Sequence, residues 1–77
     1  MEKEIYEMLK DIRPEFDFEE SEDFIEDGFL DSFDIITLVD EIEGKFSVLI
    51  DGMEILPENF NNISAICNLI ERSEKKE

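Results

Sequence analysis

The feature that most constrains this chain is an apolar stripe that begins just after an acidic, glycine-containing turn. Ile35, Leu38, Val39, Ile42 and Phe46 recur at i, i+3, i+4, i+7 and i+11. That spacing gathers side chains on one face of an α-helix, whereas a strand would divide them between its two faces. Asp31 stands where an N-cap residue is favoured, and Asp34 follows in the first turn, where a carboxylate meets free amide groups and the positive end of the helix dipole. The pattern predicts a helix over about Ser32 to Phe46 with Ser32 in its first turn. Gly44 weakens the last turn by up to about 1 kcal/mol relative to alanine, so fraying is expected there.

The rest of the chain reads around that helix. Ile5, Met8, Leu9 and Ile12 form a first stripe over about Glu2 to Ile12, which Pro14 ends by pushing Arg13 out of the helical region. The connection from Pro14 to Leu30 is rich in carboxylates but carries Phe16, Phe18, Phe24, Ile25, Phe29 and Leu30. It is long for a compact domain, so its aromatic residues are expected to lie over the helices while its acids face water. Phe46 to Ile50 has the β-branched content of a short strand, but no other segment offers it a partner, and it reads as an extended loop. Asp51-Gly52 marks a turn, Pro57 suits the first position of a short helix over Glu58 to Phe60, and Asn61 or Asn62 can cap a last helix bearing Ile63, Ile66, Cys67 and Ile70. The charged tail from Arg72 to Glu77 is expected to be disordered. The fold class is therefore all-α: one domain over residues 1–77, a small bundle of three longer helices and one short helix, with a long loop between the first two.

Charge narrows the range of partners. Seven basic residues against 23 acidic ones give a net charge of −16. Nucleic acids and anionic membranes, which bind by contact with Lys and Arg, are poor partners, and basic protein surfaces are good ones. No apolar run approaches the roughly 20 residues of a membrane span, and no signal-peptide layout is present. A lone cysteine, Cys67, cannot form an internal disulfide. A cytoplasmic, monomeric protein is the expectation. At 77 residues the chain buries only about 60% of the surface it exposes when unfolded, which leaves little interior for an enzyme pocket.

Ser32 is the functional handle. A serine hydroxyl is a weak nucleophile without a neighbouring base, and the chain has no histidine, so a Ser-His-Asp triad is excluded. A serine that another enzyme modifies needs only exposure and a surface to grip. A phosphodiester on Ser32 would be favoured by the amides of the helix N-terminus and opposed by Asp31 and Asp34. Taken alone, Ser32 could also be a second capping residue. With the core stripe assigned, Phe33 and Ile36 remain as a neighbouring apolar pair beside Asp34, Thr37, Asp40 and Glu41: either a docking face, or a pair of which Phe33 or Ile36 packs beneath the acidic loop.

The run Gly28-Phe29-Leu30-Asp31-Ser32-Phe33-Asp34, continued by Ile-Ile-Thr-Leu-Val-Asp-Glu-Ile-Glu-Gly-Lys-Phe, resembles the acyl carrier protein family. The resemblance covers nearly the whole chain and is most specific from Gly28 to Phe46. It implies a helical bundle and a non-enzymatic carrier, with 4′-phosphopantetheine transferred from coenzyme A to Ser32 and acyl or aminoacyl cargo held as a thioester. It also implies as partners a phosphopantetheinyl transferase, a loading ligase, and acyltransferases or synthases with basic docking surfaces. Asp31 resembles the aspartate that helps the transferase recognise its substrate, Asp34 resembles an acidic contact for that enzyme, and Phe33 and Ile36 match positions that meet partner enzymes. Asp40 and Glu41 complete the acidic rim of that face. Phe33, Thr37, Asp40 and Gly44-Lys45 depart from the fatty-acid carrier pattern. Leu30 to Phe33, with Ile55-Leu56-Pro57-Glu58-Asn59-Phe60, is more similar to D-alanyl and other specialised stand-alone carriers.

Other sites fit less well. A calcium loop with Gly28 at its sixth position would put Ile25 where an oxygen ligand is needed and end on Asp34 in place of glutamate. Cys67 lies on an apolar stripe, which favours packing over reactivity, and without His or a second Cys it cannot build a zinc site. The alternative of a different class is an unmodified acidic interaction module that mimics an anionic ligand, for which charge alone suffices.

Overall fold

Three helices fall where the apolar periodicity puts them in the computed structural model, which describes residues 1–76. They are α1 (Glu2–Ile12), α2 (Ser32–Phe46) and α3 (Ile63–Arg72). Pro14 bars Arg13 from helical backbone, so α1 stops with Arg13 at φ −134° and ψ 77°. The Asn62 side chain accepts the Ala65 N–H at 2.8 Å and starts α3. The expected fraying at Gly44 does not occur. Instead, α2 runs on to Phe46 and closes at Ser47 in the left-handed conformation, φ 53°. Its last turn is pinned from outside, because the Glu43 carboxylate accepts the Ile50 N–H at 3.0 Å and the Glu43 carbonyl accepts a bond from Lys76 Nζ at 3.4 Å.

The core is built from one face of each helix: Ile5, Met8 and Leu9; Ile35, Leu38, Val39 and Ile42; Ile66, Leu69 and Ile70. The connections close it with Phe18, Phe24, Leu30, Val48, Ile50 and Phe60. The long acidic loop drapes as its composition predicts. The rings of Phe16 and Phe29 stack at 4.4 Å, and Phe18 meets Phe24 and Phe29 edge-on at 5.1 and 5.4 Å. Backbone bonds fasten the loop in place. The Phe24 N–H donates to the Asn61 carbonyl at 2.7 Å, and the Phe24 carbonyl accepts from both Phe29 and Leu30. Gly28 sits at φ 74°, a conformation that L side chains rarely adopt, and lets the chain turn back toward α2.

Two local expectations are corrected. Val48–Leu49 is not a lone extended segment but a strand, β1, paired antiparallel with β2 (Glu74–Lys75) in the register Val48 to Lys75 and Leu49 to Glu74. The tail expected to be disordered supplies that partner. Arg72 completes α3, Ser73 Oγ donates to the Leu69 carbonyl, the Lys76 N–H bonds the Ser47 carbonyl at 2.8 Å, and Glu77 lies outside the described residues. A partner strand of only two charged residues has no alternating pattern by which sequence could reveal it. The short helix near Glu58 is a single 3-10 turn at Pro57–Asn59, and two further such turns lie at Phe18–Glu20 and Gly52–Glu54. Among the described residues, no helix is long and apolar enough to cross a membrane.

Candidate functional site

The site grows from the junction where the aromatic loop becomes α2. Leu30 is buried and anchors the end of the loop, which holds Asp31 in extended backbone just ahead of the helix. Asp31 and Asp34 then cap the helix reciprocally. Asp31 Oδ1 accepts the Asp34 N–H at 2.9 Å, and Asp34 Oδ2 accepts the Asp31 N–H at 3.1 Å. The capping role is thus filled by the two aspartates. Ser32, the first helical residue, lies between them in sequence and is exposed.

A residue that sequence reasoning left outside the site completes it. Arg13, held off α1 by Pro14, donates from Nε to Asp34 Oδ2 at 2.8 Å and from Nη2 to Asp31 Oδ2 at 3.3 Å, with Glu15 near its Nη1 at 3.5 Å. The signal was present in the chain, since Arg13 is the only basic residue between Lys10 and Lys45. The Asp34 amide, and after it the Arg13 guanidinium, holds the Asp31 carboxyl below the usual carboxylate range. In turn, the bond to Asp34 holds the Arg13 guanidinium charged still more firmly than usual.

The expected docking residues separate into three groups. Phe33 and Ile36 are 75% and 63% exposed, so Phe33 does not pack beneath the acidic loop. Asp40 is also exposed, and Thr37 Oγ1 donates back to the Phe33 carbonyl at 3.2 Å. Asp34 departs from the outward-facing acid that the sequence suggested: it is 7% exposed, and its Oδ2 accepts from both Arg13 Nε and the Asp31 amide, so its charge is paired within the protein. Glu41 is half-buried, its Oε2 is shielded without a hydrogen-bond partner among the described residues, and burial followed by Asp11 and Asp40 pushes its carboxyl up. Cys67 is half-buried against the core, and burial raises its thiol as well.

Chemically, this arrangement presents a hydroxyl and does not activate it. There is no histidine to serve as base, and the adjacent carboxylates are occupied with the helix cap and Arg13. It suits a serine that is acted upon. The family model of the phosphopantetheine attachment site matches residues 3–70. No curated protein and no solved structure matches the chain. That family is defined by covalently attached 4′-phosphopantetheine, and its domains carry that group without being catalytic themselves. With nearly the whole described chain inside the match, on a three-helix fold, this protein belongs to the phosphopantetheine attachment-site family of carrier domains.

Proposed function

We propose that Ser32 Oγ is the atom that carries 4′-phosphopantetheine, and that the protein delivers acyl or aminoacyl groups to partner enzymes. The observation that carries this reading is the division of labour at the start of α2: Asp31 and Asp34 cap the helix, which leaves the exposed Ser32 hydroxyl free of that role. The position suits a phosphodiester because the amides of a helix N-terminus favour an anion. When bound, the group supplies a thiol on which cargo is held as a thioester. The protein's own residues present the serine, fix the helix that bears it, and offer a face to each partner.

That face consists of Phe33 and Ile36 with Asp40 beside them. Two exposed apolar side chains next to a carboxylate suit brief contact with a basic surface, in which charge speeds encounter and the apolar pair gives register. The partners are a phosphopantetheinyl transferase, a loading ligase and the enzymes that accept the cargo. Peptide mass spectrometry after incubation with coenzyme A, magnesium and a broad-specificity transferase tests the assignment. Of the serines Ser21, Ser32, Ser47, Ser64 and Ser73, only Ser32 is expected to bear the group, and modification at any other would overturn it.

A further inference from the structure

The junction holds a contradiction that Arg13 resolves. A phosphodiester on Ser32 brings one negative charge to a residue flanked by Asp31 and closely followed by Asp34, and like charges this near raise the cost of the modified state. The helix amides offset part of that. Arg13 is placed to offset more, because its guanidinium reaches both carboxylates at once, Nε to Asp34 Oδ2 at 2.8 Å and Nη2 to Asp31 Oδ2 at 3.3 Å. Within the cap, Asp31 Oδ1 accepts the Asp34 amide, and Asp34 Oδ2, the oxygen that Arg13 Nε reaches, also accepts the Asp31 amide.

The backbone explains why this arginine can be where it is. Pro14 forces Arg13 out of α1, its N–H closes the helix on the Leu9 carbonyl at 2.9 Å, and its side chain is sent across to the start of α2. The cation lies in a stretch with no other basic residue from Asp11 to Gly44. A planar guanidinium can bridge two carboxylates, whereas an ammonium on a flexible stem engages them singly.

We propose that Arg13 is a positioning residue of the attachment site, which ties the end of α1 to the capping carboxylates of α2 and offsets their charge so that a phosphodiester on Ser32 is accommodated beside them. This rests on Ser32 as the modified residue. Arg13 does not touch the reacting hydroxyl. It acts through Asp31 and Asp34.

The test compares melting temperatures of unmodified and modified protein for the wild type, Arg13→Gln and Arg13→Lys, at low and at high salt. In low salt, modification is expected to lower the melting temperature of Arg13→Gln by roughly 4 °C more than it does that of the wild type, about the shift of one lost charge contact in a small domain. The excess should fade near 0.5 M salt, where screening acts within about 4 Å, and Arg13→Lys should lie between. If Arg13→Gln lowers both forms equally, the residue is only structural and the proposal is overturned. Should Arg13→Gln fail to fold, Arg13→Lys decides, and an excess of zero overturns the proposal. The intact mass of the wild type reports separately on Ser32: a wild type that takes up no group overturns both readings, whereas a modified wild type with no excess in the variants overturns Arg13 alone.

Discussion

Asp34 and Glu41 show at the residue scale how a charge visible in the sequence can be turned inward by the fold. Both sit where an exposed rim was expected, yet Asp34 completes a cap beneath Arg13, and Glu41 is half-buried with one oxygen shielded and the charges of Asp11 and Asp40 acting on it. Heptad position gives the face of a helix, but not whether a neighbouring element covers it, and here the end of α1 supplies the cover. The exposure of Ser32, Phe33 and Ile36 was legible, because these positions fall off the core stripe of α2. Glu41 yields a pH prediction. Its carboxyl is raised in the folded state, so its contribution to stability is full below the ordinary value of 4.5 and is lost as pH rises through the folded value. Glu41→Gln should therefore raise the melting temperature at neutral pH by about 2 °C, the scale of a weak, largely solvated contact. That gain should vanish below pH 4.5. A constant gain across the titration would show that ionisation is not its cause.

Capping dominates at the scale of elements. The helices were legible because both signals, periodic apolar residues and side chains that end the run, lie close together in sequence. The β1–β2 pair was not, since its partners are separated by the whole of α3 and neither has a strand pattern. Asp34→Ala removes a reciprocal cap and leaves Arg13 short of its closest partner; the loss should be about 1–2 kcal/mol, read as a lower melting temperature with unfolding of α2. Asp31 gives the opposite pH sign to Glu41. Its carboxyl is lowered on folding, so its stabilisation is present above the ordinary value of 3.8 and is lost as pH falls through the folded value. The melting temperatures of the wild type and Asp31→Asn should accordingly converge under acid, and a gap that persists there would contradict the charge-based cap. In the long loop, Phe24→Ala removes a ring that is 1% exposed and stacked edge-on against Phe18. A cost of about 3–5 kcal/mol is expected, most of the stability of a domain this small, and denaturant unfolding should report it.

For the molecule as a whole, a net charge of −16 on 77 residues sets the conditions under which the fold and its contacts operate. Self-repulsion weakens the folded state and is relieved by screening, so added salt should raise the melting temperature. The same field speeds encounter with any basic surface. Asp40→Lys should slow association with a basic transferase at low salt and have little effect at high salt, and rates that ignore ionic strength would remove charge from the docking account. The overall bundle was readable because a short chain with three amphipathic helices has few ways to bury them. The junction of Arg13 with the Asp31–Asp34 cap was not, because it joins residues whose proximity only the folded chain creates. Under the function proposed above, Ser32 is the residue that this fold presents for modification. The most direct test of that role is the intact mass of the wild type and of Ser32→Ala before and after incubation with coenzyme A, magnesium and a broad-specificity transferase, with circular dichroism to verify that both are folded. A gain of one phosphopantetheine in the wild type and none in the variant is expected; an unchanged wild-type mass, or an equal gain in both, would rule out Ser32 as the attachment residue.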